Sequence, residues 1–327
     1  MPLNSDPDLL PIEWSNEVIK EMTHTSAVMG LSQTRRMSTR QQRLPATAVL
    51  ADAYWVGNSG NDFTNLKQET LAQWQGVNLI VEELAALVAI PHAYMDDNAF
   101  PVWEEVRPQV VEAMGRRLDA AALFGVGAPP TWQTAILPSI VAAGQTVPEG
   151  TTDDIAADVA LSARMLKQRG FNTSGWATEP GFQWRLTGMR STDGTPIYQQ
   201  DLAGPIRTGL YGRPLLEVAN GAWDESEALV IHGDWSKSIV GIRQDITFTR
   251  HESGVIGDSS GAIVFNAMQQ DSSIWRAVFR VAWARANPAT RLGPNADQSG
   301  EQAGGVTKFP WAAVVPADEG GGDDIEG

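Results

Sequence analysis

Between residues 99 and 124, apolar side chains recur at every fourth position: Val102, Val106, Val110, Met114, Leu118 and Ala122. That spacing lays a single stripe along a helix. Pro101 suits the first turn, Glu104 and Glu105 sit near the positive end of the helix dipole, and Gly125-Val-Gly-Ala-Pro-Pro130 stops it. Pro108 removes a backbone hydrogen bond within it. A second helix is predicted over 152–169. There Thr151-Thr-Asp-Asp154 approximates a capping box, Ile155, Val159, Ala163 and Leu166 share a face, and Gly170 ends the run.

Elsewhere the pattern shortens to that of strands. Ala46 to Val56 and Leu71 to Val81 flank the turn cluster Gly57-Asn-Ser-Gly-Asn-Asp62, which predicts a long hairpin over 45–82. A two-stranded ribbon is marginal in water, so Tyr54, Trp55, Phe63 and Trp74 need a covering surface from this chain or a neighbour. Trp176 to Gly188 reads as a short strand followed by a helix, and Leu229 to Phe248 as strand, Gly-Asp-Trp-Ser turn, strand. Ala262 to Asn266 enters another element, and alternation after Ala277 favours a strand to Arg285. Residues 293–306 form a loop, Phe309 to Pro316 a final strand, and 317–327 an acidic, glycine-rich tail.

Composition narrows the function classes. The chain has 327 residues, enough to bury roughly 75% of its unfolded surface. Hydrophobic content of 43% and charged content of 19% describe a folded chain, and no apolar run approaches the ~20 residues of a membrane span. With no cysteine there are no disulfides, thiolate metal sites or cysteine nucleophiles. A formal charge of −15 argues against general nucleic-acid binding, which needs a basic face, but not against a container whose acidic wall repels packed phosphates. Within this acidic chain Arg35, Arg36, Arg40 and Arg43 form a basic cluster. It reads either as a solvated segment or as an arm lying on an acidic neighbour.

Catalytic patterns are incomplete. Gly257-Asp-Ser-Ser-Gly261 looks superficially like a serine-protease nucleophile motif, but none of His24, His92, His232 and His251 has a protease context, and a polar turn accounts for it better. No phosphate-binding or dinucleotide loop is present. Asp96-Asp97 and Asp153-Asp154 sit where helix starts use them. No catalytic, cofactor-binding or metal-ligating residue is assigned.

The ordered series of motifs resembles the tailed-bacteriophage major capsid proteins with the Hong Kong 97-type fold. Gly212-Arg213-Pro214 precedes Gly233-Asp-Trp-Ser236, as a Gly-x-Pro precedes a Gly-Asp-aromatic-Ser turn in that family. Val81-Glu-Glu-Leu-Ala-Ala-Leu-Val-Ala-Ile-Pro91 and the Asp pair after it resemble the family's passage into the long helix. Asp271 to Arg285 resembles its return to the peripheral domain, and the likeness spans about residues 45–290. It implies an α+β architecture: N-terminal arm 1–44, extended β-hairpin loop 45–82, peripheral domain 83–130 with a spine helix at 99–124, axial domain 131–262, return to the peripheral domain 263–316, and tail 317–327.

The resemblance also implies a structural role without turnover. Pentamers and hexamers of the chain would close an icosahedral virion shell around double-stranded DNA, assembled in the host bacterial cytoplasm and matured by rigid-body rotation of domains. Portal and decoration proteins would be further partners. An arm of 44 residues is short for the scaffolding segment some relatives carry, which implies a separate scaffolding protein or none. The expected inter-subunit contacts are Arg35, Arg36, Arg40, Arg43, Tyr54, Trp55, Phe63, Lys67, Trp74 and Trp311. Some family members join an extended-loop lysine to an asparagine of another subunit with the help of a buried glutamate. Lys67 lies in the corresponding loop and Asn287 is a candidate partner, but no glutamate follows by motif, so a solvent-facing or ion-pairing lysine is the favoured reading. An encapsulin shell, which encloses enzyme cargo, is the nearest alternative, and a soluble hydrolase the remote one.

Overall fold

The structure, a computed structural model, describes residues 26–51, 70, 72–97, 102–152, 154–189, 209–258, 260–292 and 308–317. Helix α1 (Ala27–Leu31) leads into strand β1 (Gln33–Arg36), then β2 (Gln41–Val49) and β3 (Gln73–Ile80). Strand β4 (Glu82–Pro91), helix α2 (His92–Asp97) and the long helix α3 (Val102–Asp119) follow. A buried π-helical turn, Ala120–Phe124, extends α3 until Gly125 closes it at φ 82°. Next come α4 (Ile136–Ala142), β5 (Thr146–Pro148), α5 (Ile155–Gln168), β6 (Gly175–Thr178) and α6 (Phe182–Gly188). Strands β7 (Gly209–Leu210), β8 (Arg213–Glu217) and β9 (Val230–Gly233) precede a 3₁₀ turn, Trp235–Lys237. The chain finishes with β10 (Ser238–His251), β11 (Val255–Gly257), β12 (Ile263–Asn266), β13 (Ser272–Arg285) and β14 (Trp311–Val315).

These strands sort into a four-stranded sheet, β1-β10-β13-β4, and a six-stranded sheet, β5-β14-β9-β6-β8-β7, with the hairpins β2-β3 and β11-β12 outside them. In the first sheet β1 is parallel to β10, while β10, β13 and β4 are antiparallel. Helix α3 lies along one face of it. The stripe positions Val110, Met114, Leu118 and Ala122 are buried in one cluster with Phe248, Ala277 and Phe279, and Leu84, Ala86 and Val88 of β4 pack against that cluster from alternate positions. Trp103 of α3 stacks on Trp275 with ring centroids 4.1 Å apart. The opposite face takes the root of the hairpin through Met37, Val77, Leu79, Ile239, Ala282 and Ala284.

Strand β13 starts earlier than the alternation predicts, at Ser272 rather than after Ala277. It pairs with β4 from Ser272 to Val281 and with β10 from Ile274 to Arg285, so flanking strands fix the backbone where the side-chain pattern is silent.

The Gly-Asp-Trp-Ser turn joins strands of different sheets. Strand β9 lies inside the six-stranded sheet and β10 inside the four-stranded one. Trp235 is buried at this crossing, where its indole N–H donates to the Gly175 carbonyl (3.0 Å) and its amide to Ser174 Oγ (2.9 Å). Asp234 accepts from the amide and hydroxyl of Ser236. A Cβ on Gly233 would stand 2.4 Å from the Pro310 carbonyl oxygen, so only glycine lets β14 lie against this point.

The chain passes from the six-stranded sheet into the four-stranded one at the 233–238 turn. Strand β14, expected with the return to the peripheral domain, is an inner strand of the second sheet, parallel to β5 and antiparallel to β9. The hairpin begins at Gln41 rather than at 45, which places Arg43 on β2 opposite Asn78 and leaves Arg40 just before it.

Buried polar groups tie distant segments together. Gln145 Nε2 donates to the carbonyls of Phe309 (2.9 Å) and Trp311 (2.7 Å), while its Oε1 accepts from the Phe309 amide and Arg169 Nη1. Asp119, at the end of α3, accepts from Ser26 Oγ (2.6 Å), the amides of Ala27 and Val28, and Asn220 Nδ2 (2.8 Å). Burial pushes its carboxyl up to about 6, against the pull of those donors. The carboxylate thereby holds α1 and the loop after β8 to the long helix. Substituting Asp119→Ala strands four donors, and urea unfolding of the unassembled protein at pH 8 should show a loss of about 3 kcal/mol.

His232 is fully buried in β9, between Ser162 Oγ (2.7 Å) and Thr173 Oγ1 (3.0 Å) and against the Trp176 ring. Desolvation pushes its imidazole from 6.5 down to about 3. An unfolded chain takes up that proton near pH 6.5 and the folded chain only near pH 3. The neutral ring therefore stabilises the fold above pH 6.5, and this contribution is lost as pH falls through about 3. The difference in unfolding free energy between the wild type and His232→Gln should shrink on acidification across that window, by on the order of 4 kcal/mol.

Candidate assembly surfaces

The residues expected to touch neighbours divide into three groups. Tyr54, Trp55, Phe63 and Lys67 lie outside the described residues. Arg35, Arg36, Arg40, Arg43 and Trp74 are exposed on β1, the turn after it and the hairpin. Trp311 is corrected: it is fully buried in β14, edge-on to Trp235 at 6.2 Å, so it belongs to the core of its own protomer and offers no surface to another. Burial within the second sheet claims this ring.

The arginines do not act alike. Arg36 Nη1 grips both carboxylate oxygens of Asp245 at 2.7 and 2.6 Å, which fastens β1 to β10. Arg40 reaches Glu82 at 3.9 Å, a looser contact of small energetic worth. Arg43 lies across Gly76 of β3, where a Cβ would stand 1.8 Å from its Nε. Arg35 and Arg43 form no ion pair among the described residues.

Hairpin β2-β3 is the more exposed structure. Its register runs from Gln41 opposite Ile80 to Thr47 opposite Trp74. Near the root Val77 and Leu79 are buried, whereas Trp74 is 70% exposed. On its outer edge the Ala289 amide donates to the Thr47 carbonyl (2.8 Å). A second apolar projection, which the sequence reading did not single out, is the β11-β12 hairpin with Ile263 66% and Met268 77% exposed. Its signal was faint: Ala262-Ile-Val-Phe-Asn266 is apolar with no partner face named by its spacing. Asn287 donates its side-chain amide to the Lys308 carbonyl at 2.7 Å.

His92 stands between Asp271 (Nδ1 to Oδ1, 3.0 Å) and Ser273 (Nε2 to Oγ, 2.8 Å), the same linear order as a hydrolase relay. Ser273, however, is fully buried on β13 and also accepts from Arg250 Nε (3.2 Å), so no substrate can reach its oxygen. The trio fastens α2 to the start of β13. The Ser162–His232 pair is equally buried. Gly257 to Gly261 forms the β11-β12 turn, where Asp258 accepts from the Ser260 hydroxyl and from the amides of Ser260 and Ala262. These bonds hold its carboxyl below the usual range. Among the described residues no cluster of His, Asp or Glu could hold a metal ion, and no helix is long and apolar enough to cross a membrane.

A spine helix along one sheet, a second sheet reached through a Gly-Asp-Trp-Ser crossing, and a projecting hairpin define a shell-forming capsid subunit. Comparison with known proteins agrees. The model of the phage capsid family matches residues 8–290, and the chain belongs to that family. Its fold is the Hong Kong 97-type fold of tailed-phage major capsid proteins. The major capsid protein of Staphylococcus phage 80alpha is 22% identical over 273 residues, covering 83% of this chain and 79% of the relative. A solved structure from Microbacterium phage Oxtober96 superposes with a TM-score of 0.76 at 32% identity, covering 89% of this chain and 91% of that one. One from Mycobacterium phage Bobi gives 0.74 at 27% identity, covering 89% and 90%.

Proposed function

We propose that copies of this chain assemble through pentamers and hexamers into an icosahedral phage head that encloses double-stranded DNA. Exposed Trp74 is the observation that carries the reading. An indole 70% exposed on a two-stranded ribbon is a large apolar surface left uncovered by the described residues. Copies tiled edge to edge supply that cover, with each hairpin lying on the next subunit. Arg35, Arg40 and Arg43, around the hairpin root, meet acidic surface of a neighbour, consistent with a formal charge of −15. Tyr54, Trp55, Phe63 and Lys67, outside the described residues, are further contact candidates of the same assembly. Each contact is modest, and the shell multiplies it.

Electron microscopy of the purified protein and of particles from infected cells tests this. Closed shells filled with DNA are the expected result. Shells filled with protein cargo would point to an encapsulin, and a stable monomer at high concentration would remove the proposal.

Trp74→Ala separates assembly from folding. Since the ring is exposed in the protomer, unfolding of the unassembled variant should change by no more than about 0.5 kcal/mol. The concentration at which shells form, read by light scattering, should rise roughly tenfold or more.

A further inference from the structure

Arg285 ends β13 beside the crossing between the two sheets, opposite Ser238. Its guanidinium is held in place rather than free. Nε donates to the Thr134 carbonyl at 3.0 Å, Nη2 donates to Ser139 Oγ at 2.9 Å, and the group lies 4.6 Å over the Phe309 ring. Its backbone amide donates to Gln133 Oε1 at 2.9 Å. Every one of these partners is neutral. Among the described residues no carboxylate lies within ion-pair distance of it, although the chain carries 39 Asp and Glu against 24 Lys and Arg.

A half-buried cation is ordinarily paired, because desolvation without a counter-charge is costly. Desolvation alone pulls the Arg285 guanidinium down to about 10, with no carboxylate opposing it. Two of its nitrogens are committed to neutral oxygens and the ring orients its plane, so the remaining Nη1 edge is a preset fork for a carboxylate. Arg40, with its side chain 75% exposed and 3.9 Å from Glu82, lacks this fixation.

We propose that Arg285 is an acceptor for a carboxylate presented by a second copy of this chain, and so a fixed ionic contact of the assembled shell. The inference rests on the assembly reading above. Nucleic acid is the weaker occupant, since phosphate backbones are held by open rows of cations and this site offers one guanidinium edge beside a carbonyl and a hydroxyl.

The test uses Arg285→Lys incorporated as a minority of copies into shells of otherwise wild-type chain, the two isotopically distinguished. A carbodiimide activates a carboxylate, which the amine introduced at 285 then attacks to form an amide with loss of the urea by-product. Peptide mass mapping should find that amide joined to an Asp or Glu of a wild-type copy. Its yield should be roughly tenfold or more above that in unassembled protein at the same total concentration, because neighbours in a shell meet at a far higher effective concentration. Exclusion of the variant from shells, with its melting temperature unchanged, would also support a fixed contact. A conjugate only to the variant's own chain, or none in shells that have incorporated it, overturns the inference while leaving the assembly reading intact. Failure of the wild-type chain to form shells overturns both. If the variant alone melts early, Arg285→Gln is compared with Ser139→Ala. Equal loss of shells at equal loss of melting temperature makes Arg285 a packing residue and overturns the inference, and greater loss of shells for Arg285→Gln supports it.

Discussion

Everything in this protomer depends on one close approach, where the backbone of β9 leaves the six-stranded sheet and becomes β10 of the four-stranded sheet. Gly233 permits it, because any Cβ there would strike the Pro310 carbonyl and Trp311. Trp235 fills the corner between the sheets and its indole N–H is satisfied by Gly175. A buried indole without that acceptor would destabilise the corner, and a corner without the ring would leave a cavity. The four residues Gly233-Asp-Trp-Ser236 thus set the mutual position of both sheets, and with it the line along which the hairpin projects.

Polar anchors secure the rest. Gln145 binds the strand that arrives after residue 308, and Asp119 binds the segment that precedes β1. Both bind backbone groups together with side chains, Asp119 the hydroxyl of Ser26 and the amide of Asn220, Gln145 the guanidinium of Arg169. The hairpin is held at its root, where Val77 and Leu79 meet Met37 and Ile239, and farther out by the Ala289 amide donating to the Thr47 carbonyl. Its outer half carries Trp74 into solvent.

Much of the fold was legible because period and position agreed. The fourfold repeat packs into the core from Val106, partly buried, through the buried Val110, Met114, Leu118 and Ala122, Asp154 caps α5 by accepting from the Ala157 amide, and Ala312 to Val314 are buried in the final strand. What escaped was sheet membership. Trp311 looked like a surface aromatic because nothing in Phe309-Pro-Trp311 says that β5 and β9 will enclose it. Likewise the assignment of β10 to the first sheet depends on pairing with Arg276 to Arg285, which lies outside any local window. Asp119 gave no signal at all, since its donors come from Ser26, Ala27, Val28 and Asn220, far away in sequence. Among the described contact candidates the exposure of Trp74 followed from the ribbon argument, whereas the grip of Arg36 on Asp245, 209 residues later, depends on the pairing of β1 with β10.

The place of β14 has a consequence for synthesis on the ribosome. This strand lies between β5 and β9, yet it follows both by more than 75 residues of sequence. Until it emerges, a nascent chain exposes two unpaired strand edges and the apolar wall that Trp311 will cover. Translation therefore finishes the sheet late, and a truncated polypeptide lacks the wedge that completes it. A chain that stops short of Trp311 leaves β5 and β9 without the strand that joins them.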